Sequence, residues 1–562
     1  MIAWARLRPC NTSYWRAFMQ HSASANVPTE WSLIAAQVYD DAFNDVEVDV
    51  VVTDPDGQEH TVPAFWAGAQ TWRVRFASPT PGRYSWRSVC SVPEDAGLHG
   101  REGAFEVGPY EGHNPLFQRG PLRVAATDRS LEHADDTPFF WLADTWWFGL
   151  TARLAWPGSF QRLTADRVDK GFTVVQCIAG LFPDIEAFDG QSALEGGHQA
   201  WERDWARINP RYFDLADRRI EWLVLSGLTP CILACWGWYI HFLGVERMKR
   251  HWRYLVARYG AYPVVWTLCG EVTRPYDPAD TATEEQREAY RQRTRAAWHE
   301  VASYIRAIDP YRRLLSAHPQ NAARNDLSDE LLDLDLLQTG HHDRSALPRT
   351  VQEVVRSYAR QPVKPLINSE VAYEGIQEAN RQEVQRLMFW VCLLSGACGH
   401  TYGATGIWQM NTPDQMLRHY GHGTTHNTAT WEEAAQFPGA RQVGLAKALL
   451  QRYRWWAFAP HPEWAAPRWS ERECLRATYA AGIPGEVRLV YTPHLLASAV
   501  VHQLESDVTY QAYYANPVDG TEYPLGAVAP DGAGTWAPPR PPIRQDWVLV
   551  LEADGARVGR TS

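Results

Sequence analysis

Residues 262–271 read Tyr-Pro-Val-Val-Trp-Thr-Leu-Cys-Gly-Glu, and residues 363–370 read Val-Lys-Pro-Leu-Ile-Asn-Ser-Glu. Each is a short apolar run between helical patterns, and each stops on a carboxylate, Glu271 or Glu370. Apolar runs of this length between helices mark buried parallel strands. A carboxylate at the carboxyl end of such a strand faces the mouth of a barrel, where folds of this kind keep their chemistry. The two acids are therefore the candidate catalytic pair.

Outward from these stretches, strands alternate with helices from about residue 113, which implies βα units and a parallel sheet. Residues 139–144 read as strand one, 172–176 as strand two, 230–234 as strand three, and the run to Glu271 as strand four. Residues 313–317, ending near His318, make strand five, and 334–338, ending near His341 and His342, strand six. The run to Glu370 is strand seven, and 399–403 with 406–408 supplies the eighth. Helical repeats between them stop at Gly171, Gly227 and Gly260. A last helix over 431–456 closes the ring, and the Gly-, Asp- and Trp-rich connection 177–211 reads as a loop over the site. The fold class to expect is α/β, a (β/α)8 TIM barrel.

Residues 1–112 show period-two alternation: Val46, Val48, Val50 and Val52 precede a Pro55-Asp56-Gly57 turn, and Trp72, Val74 and Phe76 follow. Residues 459–562 return to it with Val487, Leu489 and Tyr491, closing on Trp547-Val-Leu-Val-Leu551. Both read as β-sandwiches. The expected domains are thus an N-terminal sandwich over 1–112, the catalytic barrel over 113–458 and a C-terminal sandwich over 459–562.

The chain of 562 residues is 45% hydrophobic and 21% charged, an ordinary globular balance that rules against disorder. A net charge of −11 without a dense Lys/Arg stripe argues against nucleic acid as partner. There is no run of ~18 apolar residues, so no membrane span is expected. The amino terminus lacks an apolar h-region, and the nine cysteines, an odd number, are scattered. Reduced thiols and a cytoplasmic location are the expectation. The 27 Trp and 24 Tyr serve large cores for the most part, leaving a share to stack on the C–H faces of sugars. No cofactor is expected, and the sequence leaves a homo-oligomer open.

Cleaving a glycosidic bond takes one carboxylic acid to protonate the leaving oxygen and a second carboxylate at the anomeric carbon. Strands four and seven stand on roughly opposite walls of an eight-stranded barrel, which lets Glu271 and Glu370 approach one sugar from two sides. Substrate contacts are expected from Asp144, Trp146 and Trp147 after strand one and Gln176 on strand two. Trp236, Trp238, Tyr239 and His241 follow strand three, while His318 and His341 end strands five and six. Tyr373 follows strand seven, and Tyr402 and Trp408 belong to strand eight. Each has core packing as its alternative. Glu374 is a rival nucleophile, or else a brace for its loop. His341, His342, His400, His422 and His426 raise metal-dependent hydrolysis of a non-sugar bond as an alternative. No helix carries two histidines four apart beside a glutamate, so no metal is expected. A non-catalytic carbohydrate-binding barrel is the other alternative, and two intact acids argue against it.

Phe139-Phe-Trp-Leu-Ala-Asp-Thr-Trp-Trp147, the 262–271 run and Ser369-Glu-Val-Ala-Tyr-Glu-Gly375 together resemble the apiosidase-like glycoside hydrolases, family 140 and relatives. The resemblance covers roughly 120–458, and the flanking β domains also resemble that family's neighbours. It implies an acid/base ending strand four and a nucleophile ending strand seven: Glu271 and Glu370, working by a retaining mechanism with carboxyl groups ~5–5.5 Å apart. Apiosidase-type members carry Gly-Gly-Asp at strand four, where this chain has Cys269-Gly270-Glu271. Glutamate reaches one methylene further, so apiose is not carried over as the substrate. The expected activity is exo-acting cleavage of an oligosaccharide or glycoside.

Overall fold

The computed structural model describes residues 22–190, 193–276, 283–417, 429–470, 473–493 and 499–558. Its centre is one sheet of parallel strands: β1 (Trp141–Trp146), β2 (Val174–Leu181), β3 (Thr229–Cys235) and β4 (Val265–Gly270). Then come β5 (Leu315–His318), β6 (Asp335–Gly340), β7 (Leu366–Val371) and β8 (Gly399–Tyr402). Across the sheet they run β5-β4-β3-β2-β1-β8-β7-β6, so neighbours in sequence are neighbours in space and β8 returns to β1. The remaining seam, β5 to β6, is tied by the Asp333 N–H donating to the Leu315 carbonyl at 2.9 Å. The Ser316 hydroxyl adds a bond to the Leu334 carbonyl, also 2.9 Å. This is the expected (β/α)8 barrel.

Burial of both faces explains why the strands read as unbroken apolar runs; every residue of β1, β2, β3, β4 and β7 is buried. The helix layer is α1 (Gly158–Asp169), α2 (Pro210–Leu225), α3 (Tyr239–Tyr259), α4 (Glu284–Ile308), α5 (Leu347–Ala359) and α6 (Gln382–Leu394). Sequence cues set their starts. Asn209 caps α2 ahead of Pro210, and Thr283 with Gln286 forms a capping box on α4. The single helix expected over 431–456 is instead two, α7 (Trp431–Ala435) and α8 (Pro438–Leu450). Phe437 precedes a proline and is pushed to ψ 134, which breaks the run.

On the N-terminal side, residues 22–108 form a five-stranded and a three-stranded sheet around Val48, Val50, Val52, Trp72, Val74 and Tyr84. On the C-terminal side, a six-stranded sheet ends with the strand Trp547–Ala553. There the period-two pattern has two audiences. Val548 and Val550 join the barrel's core, while Trp547, Leu549 and Leu551 join the sheet's own. Arg386 of α6 fixes the contact with a two-pronged bond to Asp546, at 2.8 and 2.6 Å. The eight described cysteines are all unpaired and buried. Among the described residues, no helix is long and apolar enough to cross a membrane.

The N-terminal sheets meet the barrel through a buried charge network. Arg75 donates to Asp217 at 2.5 Å and to the Arg258 carbonyl at 2.7 Å, and Arg258 donates to Asp217 at 2.7 Å. Burial pushes the Asp217 carboxyl up, but Arg258 and Arg75 outweigh it and hold the group at about 2. Removing this carboxylate leaves two buried guanidiniums facing each other, with only the more exposed Glu30 and Asp214 as partners. D217A should therefore destabilise the protein by about 3–5 kcal/mol, the usual result of breaking a buried pair. Urea denaturation checks this, and a loss within experimental error would mean the network adds nothing to stability.

Candidate active site

Glu370 is the next-to-last residue of β7, and four described side chains donate to it. His318, at the end of β5, lies 3.1 Å from Oε2, and Tyr373 brings its hydroxyl to 2.5 Å from the same oxygen. Gln338 of β6 donates to Oε1 at 3.0 Å, and His341, just past β6, lies 2.9 Å from it. The Tyr373 N–H donates to His341 Nδ1 at 3.2 Å, which leaves Nε2 to carry the hydrogen toward Glu370. Gly403 makes the Tyr373 position available: a Cβ there would stand 2.3 Å from the tyrosine ring. Burial pushes the Glu370 carboxyl up, yet the bonds from His318 and His341 reverse this and hold it well below the usual carboxylate range. The group is ionised at neutral pH.

Glu271 follows the last residue of β4. Its Oε2 accepts from the Trp236 indole at 3.1 Å and from Arg274 at 2.5 Å, and its Oε1 from Gln338 at 3.1 Å. Its backbone has φ 44, a left-handed conformation that is costly for a residue with a Cβ and that collects at functional sites. Gly270 beside it has no side chain because none fits: a Cβ would lie 2.1 Å from the Trp236 ring. One Gln338 amide nitrogen bonds both acids, at 3.1 and 3.0 Å, so the two Oε1 atoms can be no further apart than about 6.1 Å. Each glutamate is 6% exposed, enough to be reached from the mouth and little enough to limit water.

Several other expected contacts gather here. The Trp147 ring packs edge-on against Trp236 and His318, at 5.6 and 5.2 Å. Trp238 lies 5.9 Å from the Arg274 guanidinium and continues the wall on the Glu271 side. Gln176 sits inside the barrel, donating to the Ser369 carbonyl at 3.2 Å next to Glu370. Trp408 is buried in the loop after β8, its carbonyl accepting from the Phe148 N–H.

Five expected contacts turn away from the acids. Asp144 is fully buried and accepts from Arg167 of α1 at 2.6 Å and from the Trp146 indole at 2.7 Å. Trp146 packs on Phe160 of the same helix. Tyr402, paired with Asp144 across β1 and β8, donates to Glu374 at 2.6 Å. All three share one strand parity, the one facing the helices. His241 bonds Thr294 of α4 at 2.9 Å, and Tyr239 gives its hydroxyl to the Phe182 carbonyl at 3.1 Å. Glu374 is no rival at the mouth: it lies outside the strand ring, accepting from Tyr402 and from the Gly439 N–H in the first turn of α8. Of the histidines that raised a metal, His341 serves Glu370 and His400 packs against Phe389 of α6. His422 and His426 lie outside the described residues. Gln338 and Arg274 were not among the expected contacts, although Gln338 ends an apolar run as the two glutamates do.

A cavity of about 610 Å³ lies elsewhere, on the N-terminal sheets between Trp31, Trp86 and Phe105. Converging acids and histidines, rather than volume, mark the barrel mouth as the site.

A closed parallel barrel with two facing carboxylates and an aromatic wall at its carboxyl-end mouth has the form of the barrel glycoside hydrolases. Residues 125–457, more than half the chain, match the family described as apiosidase-like, catalytic domain. The chain belongs to that family and is a glycoside hydrolase. Residues 27–91 match a domain of unknown function, DUF5060. Similar solved folds include a protein described as a glycoside hydrolase, at 21% identity and TM-score 0.63, covering 79% of this chain and 99% of that one. A family 5 glycoside hydrolase from Bacteroides vulgatus shows 20% identity and TM-score 0.64, covering 78% and 95%. A putative glycoside hydrolase from the same organism shows 17% and 0.67, covering 95% and 100%. No curated protein matches the sequence.

Glu374 yields a pH test of this layout. Burial pushes its carboxyl up from 4.5 to about 7, against the bonds from Tyr402 and Gly439. A raised folded value means that the stability this group contributes is fully present below its unfolded value and lost as pH rises through about 7. E374Q, neutral at every pH, should gain on the wild type by roughly 3 kcal/mol between pH ~4.5 and pH ~8. Denaturant titrations at the two pH values measure it; a difference that does not change with pH would contradict this environment.

Proposed function

We propose that the enzyme is a retaining, exo-acting glycosidase of oligosaccharides or glycosides, with Glu370 as nucleophile and Glu271 as acid/base. Glu370 attacks the anomeric carbon while Glu271 gives its proton to the glycosidic oxygen, forming a glycosyl-enzyme. Glu271 then takes a proton from water, which attacks the same carbon and releases Glu370. The division of labour follows the donors. Four bonds keep Glu370 ionised, as a nucleophile must be. Proton delivery runs through Glu271 Oε2, which Arg274 engages from a partly exposed position beside Trp238.

The observation that carries this reading is the shared Gln338 donor. It holds the two Oε1 atoms within about 6.1 Å of each other, near the ~5–5.5 Å carboxyl spacing of a double displacement. Two nearly buried acids beside the Trp147, Trp236 and Trp238 rings support exo action on short substrates.

E370Q should abolish turnover of nitrophenyl glycosides, by a factor of about 10⁴ or more, while leaving the melting temperature nearly unchanged. Activity near the wild-type level would sink the nucleophile assignment. E271A should lose activity on poor leaving groups and recover it with azide on activated ones, and the azide product should keep the substrate's anomeric configuration. No rescue by azide would remove Glu271 from the acid/base role. Proton NMR of the first-formed sugar gives a separate check, since inversion would overturn the double displacement.

A further inference from the structure

In the five-stranded N-terminal sheet, the strands Gly82–Cys90 and Glu102–Gly108 pair antiparallel, with Tyr84 opposite Phe105 and Trp86 opposite Gly103. Side chains alternate across a strand, so these four positions share one face, the one toward the three-stranded sheet. The first pair fills its part of the core: Tyr84 and Phe105 are buried and stack at 5.4 Å. The second pair does not. Gly103 carries no side chain, and a Cβ there would stand 2.6 Å from the Trp86 indole. Trp31, on the facing strand Thr29–Ile34, stacks on Trp86 at 5.4 Å with 29° between the planes. Both indoles have interior parity and yet stay partly exposed. Residues of both sheets line the cavity of about 610 Å³ that opens beside these rings.

Polar groups surround the rings. Arg101 and Glu102 line the cavity from exposed positions, and no side-chain partner engages either among the described residues. Thr29–Ile34 is an outer strand of its sheet. The Ala35 N–H donates to the Gln70 carbonyl, so the odd-numbered residues bond the neighbouring strand. Glu30 and Ser32 therefore turn their N–H and C=O groups outward, where no strand meets them among the described residues, and both line the cavity. The Glu30 carboxylate is already held by Arg75 at 2.7 Å, which leaves one positive and one negative charge on the rim. An anionic ligand gains little from charges that cancel, and a wholly apolar one would leave the outward amides unpaired. A neutral sugar satisfies both parts. Its C–H faces can lie on the indoles while its hydroxyls donate to and accept from the rim. We infer that this cavity is a second carbohydrate-binding site, which holds a neutral oligo- or polysaccharide apart from the barrel mouth. None of its lining residues belongs to the barrel, so it binds without cleaving. The inference gives a role to the region 27–91, matched only to a domain of unknown function, and does not depend on which acids are catalytic.

Affinity electrophoresis of the full chain tests this, in native gels holding glucomannan, mixed-linkage β-glucan, linear arabinan or galactan, with polygalacturonate as the anionic control. Turnover of nitrophenyl glycosides plays no part in the readout, so failure here is distinct from failure of the catalytic assignment. At least one neutral polymer should retard the wild type, and polygalacturonate should not. W86A removes the ring floor and should raise the dissociation constant at least about tenfold, as loss of a central aromatic anchor does. R101A alters only an exposed rim position and should raise it roughly 2- to 10-fold, the worth of one hydrogen bond. Melting temperatures show whether each variant is folded. Wild-type mobility unchanged by every neutral polymer, or retarded by polygalacturonate alone, would overturn the inference. Equal retardation of wild type and folded W86A would overturn it too, because the binding would then lie elsewhere, as at the barrel mouth. Should W86A fail to fold, R101A decides, and a dissociation constant equal to the wild type's would overturn the inference.

Discussion

A carboxylate kept charged inside a barrel mouth must be supplied with hydrogens, and the supply of Glu370 depends on how the barrel closes. His318 ends β5, Gln338 and His341 belong to β6 and its end, and Tyr373 lies three residues past Glu370 on the β7 side. Three of these donors come from the two edges of the β5–β6 seam, where single bonds replace a ladder. Opening the seam would move His318 away from the other donors. The closure of the ring and the charge on its central acid are thus one constraint.

Two glutamates four residues apart show how far local supply decides the chemistry. Glu370 faces inward and receives four bonds, which outweigh its burial. Glu374, past the strand end, faces the start of α8 and receives one hydroxyl and one backbone N–H, which do not. One is held ionised and the other is pushed toward its neutral form. Composition and spacing alone treat them alike.

This is also where sequence reading reaches its limit. The barrel was legible, because strands buried on both faces leave unbroken apolar runs, and a carboxylate ending such a run stands out. His318, His341, Tyr373, Trp147 and Trp236 were legible for the same positional reason. An unbroken apolar run, however, hides which face each residue takes. Asp144, Trp146 and Tyr402 sit at strand ends like the others but have the opposite parity, and nothing in the run 139–147 says so until Arg167 of α1 is seen against Asp144. Gln338 was missed although it ends the 334–338 run. Nothing in that run marks its amide as a donor to carboxylates 67 and 32 residues away. Pro438 divides the helix expected over 431–456, because the residue before a proline is driven out of the helical region.

For the proposed acid/base role of Glu271, its three donors differ in how firmly each is held. Three donors orient the carboxyl, but an acid that must hand a proton to a leaving oxygen needs one of its oxygens free. Trp236 is packed against Trp147 and His318 and is held in place. Gln338 serves both acids at once and cannot leave one without releasing the other. Arg274 is different: its side chain is 22% exposed, and the Trp238 face lies 5.9 Å from its guanidinium. A cation over an indole face keeps part of the stabilisation it gives up elsewhere. Under the proposed assignment, Arg274 is the donor that can give up Glu271 Oε2 without disturbing the packing of the core. The φ of 44 at Glu271 fits the same economy, since a strained backbone fixes the direction of the side chain while its partners change.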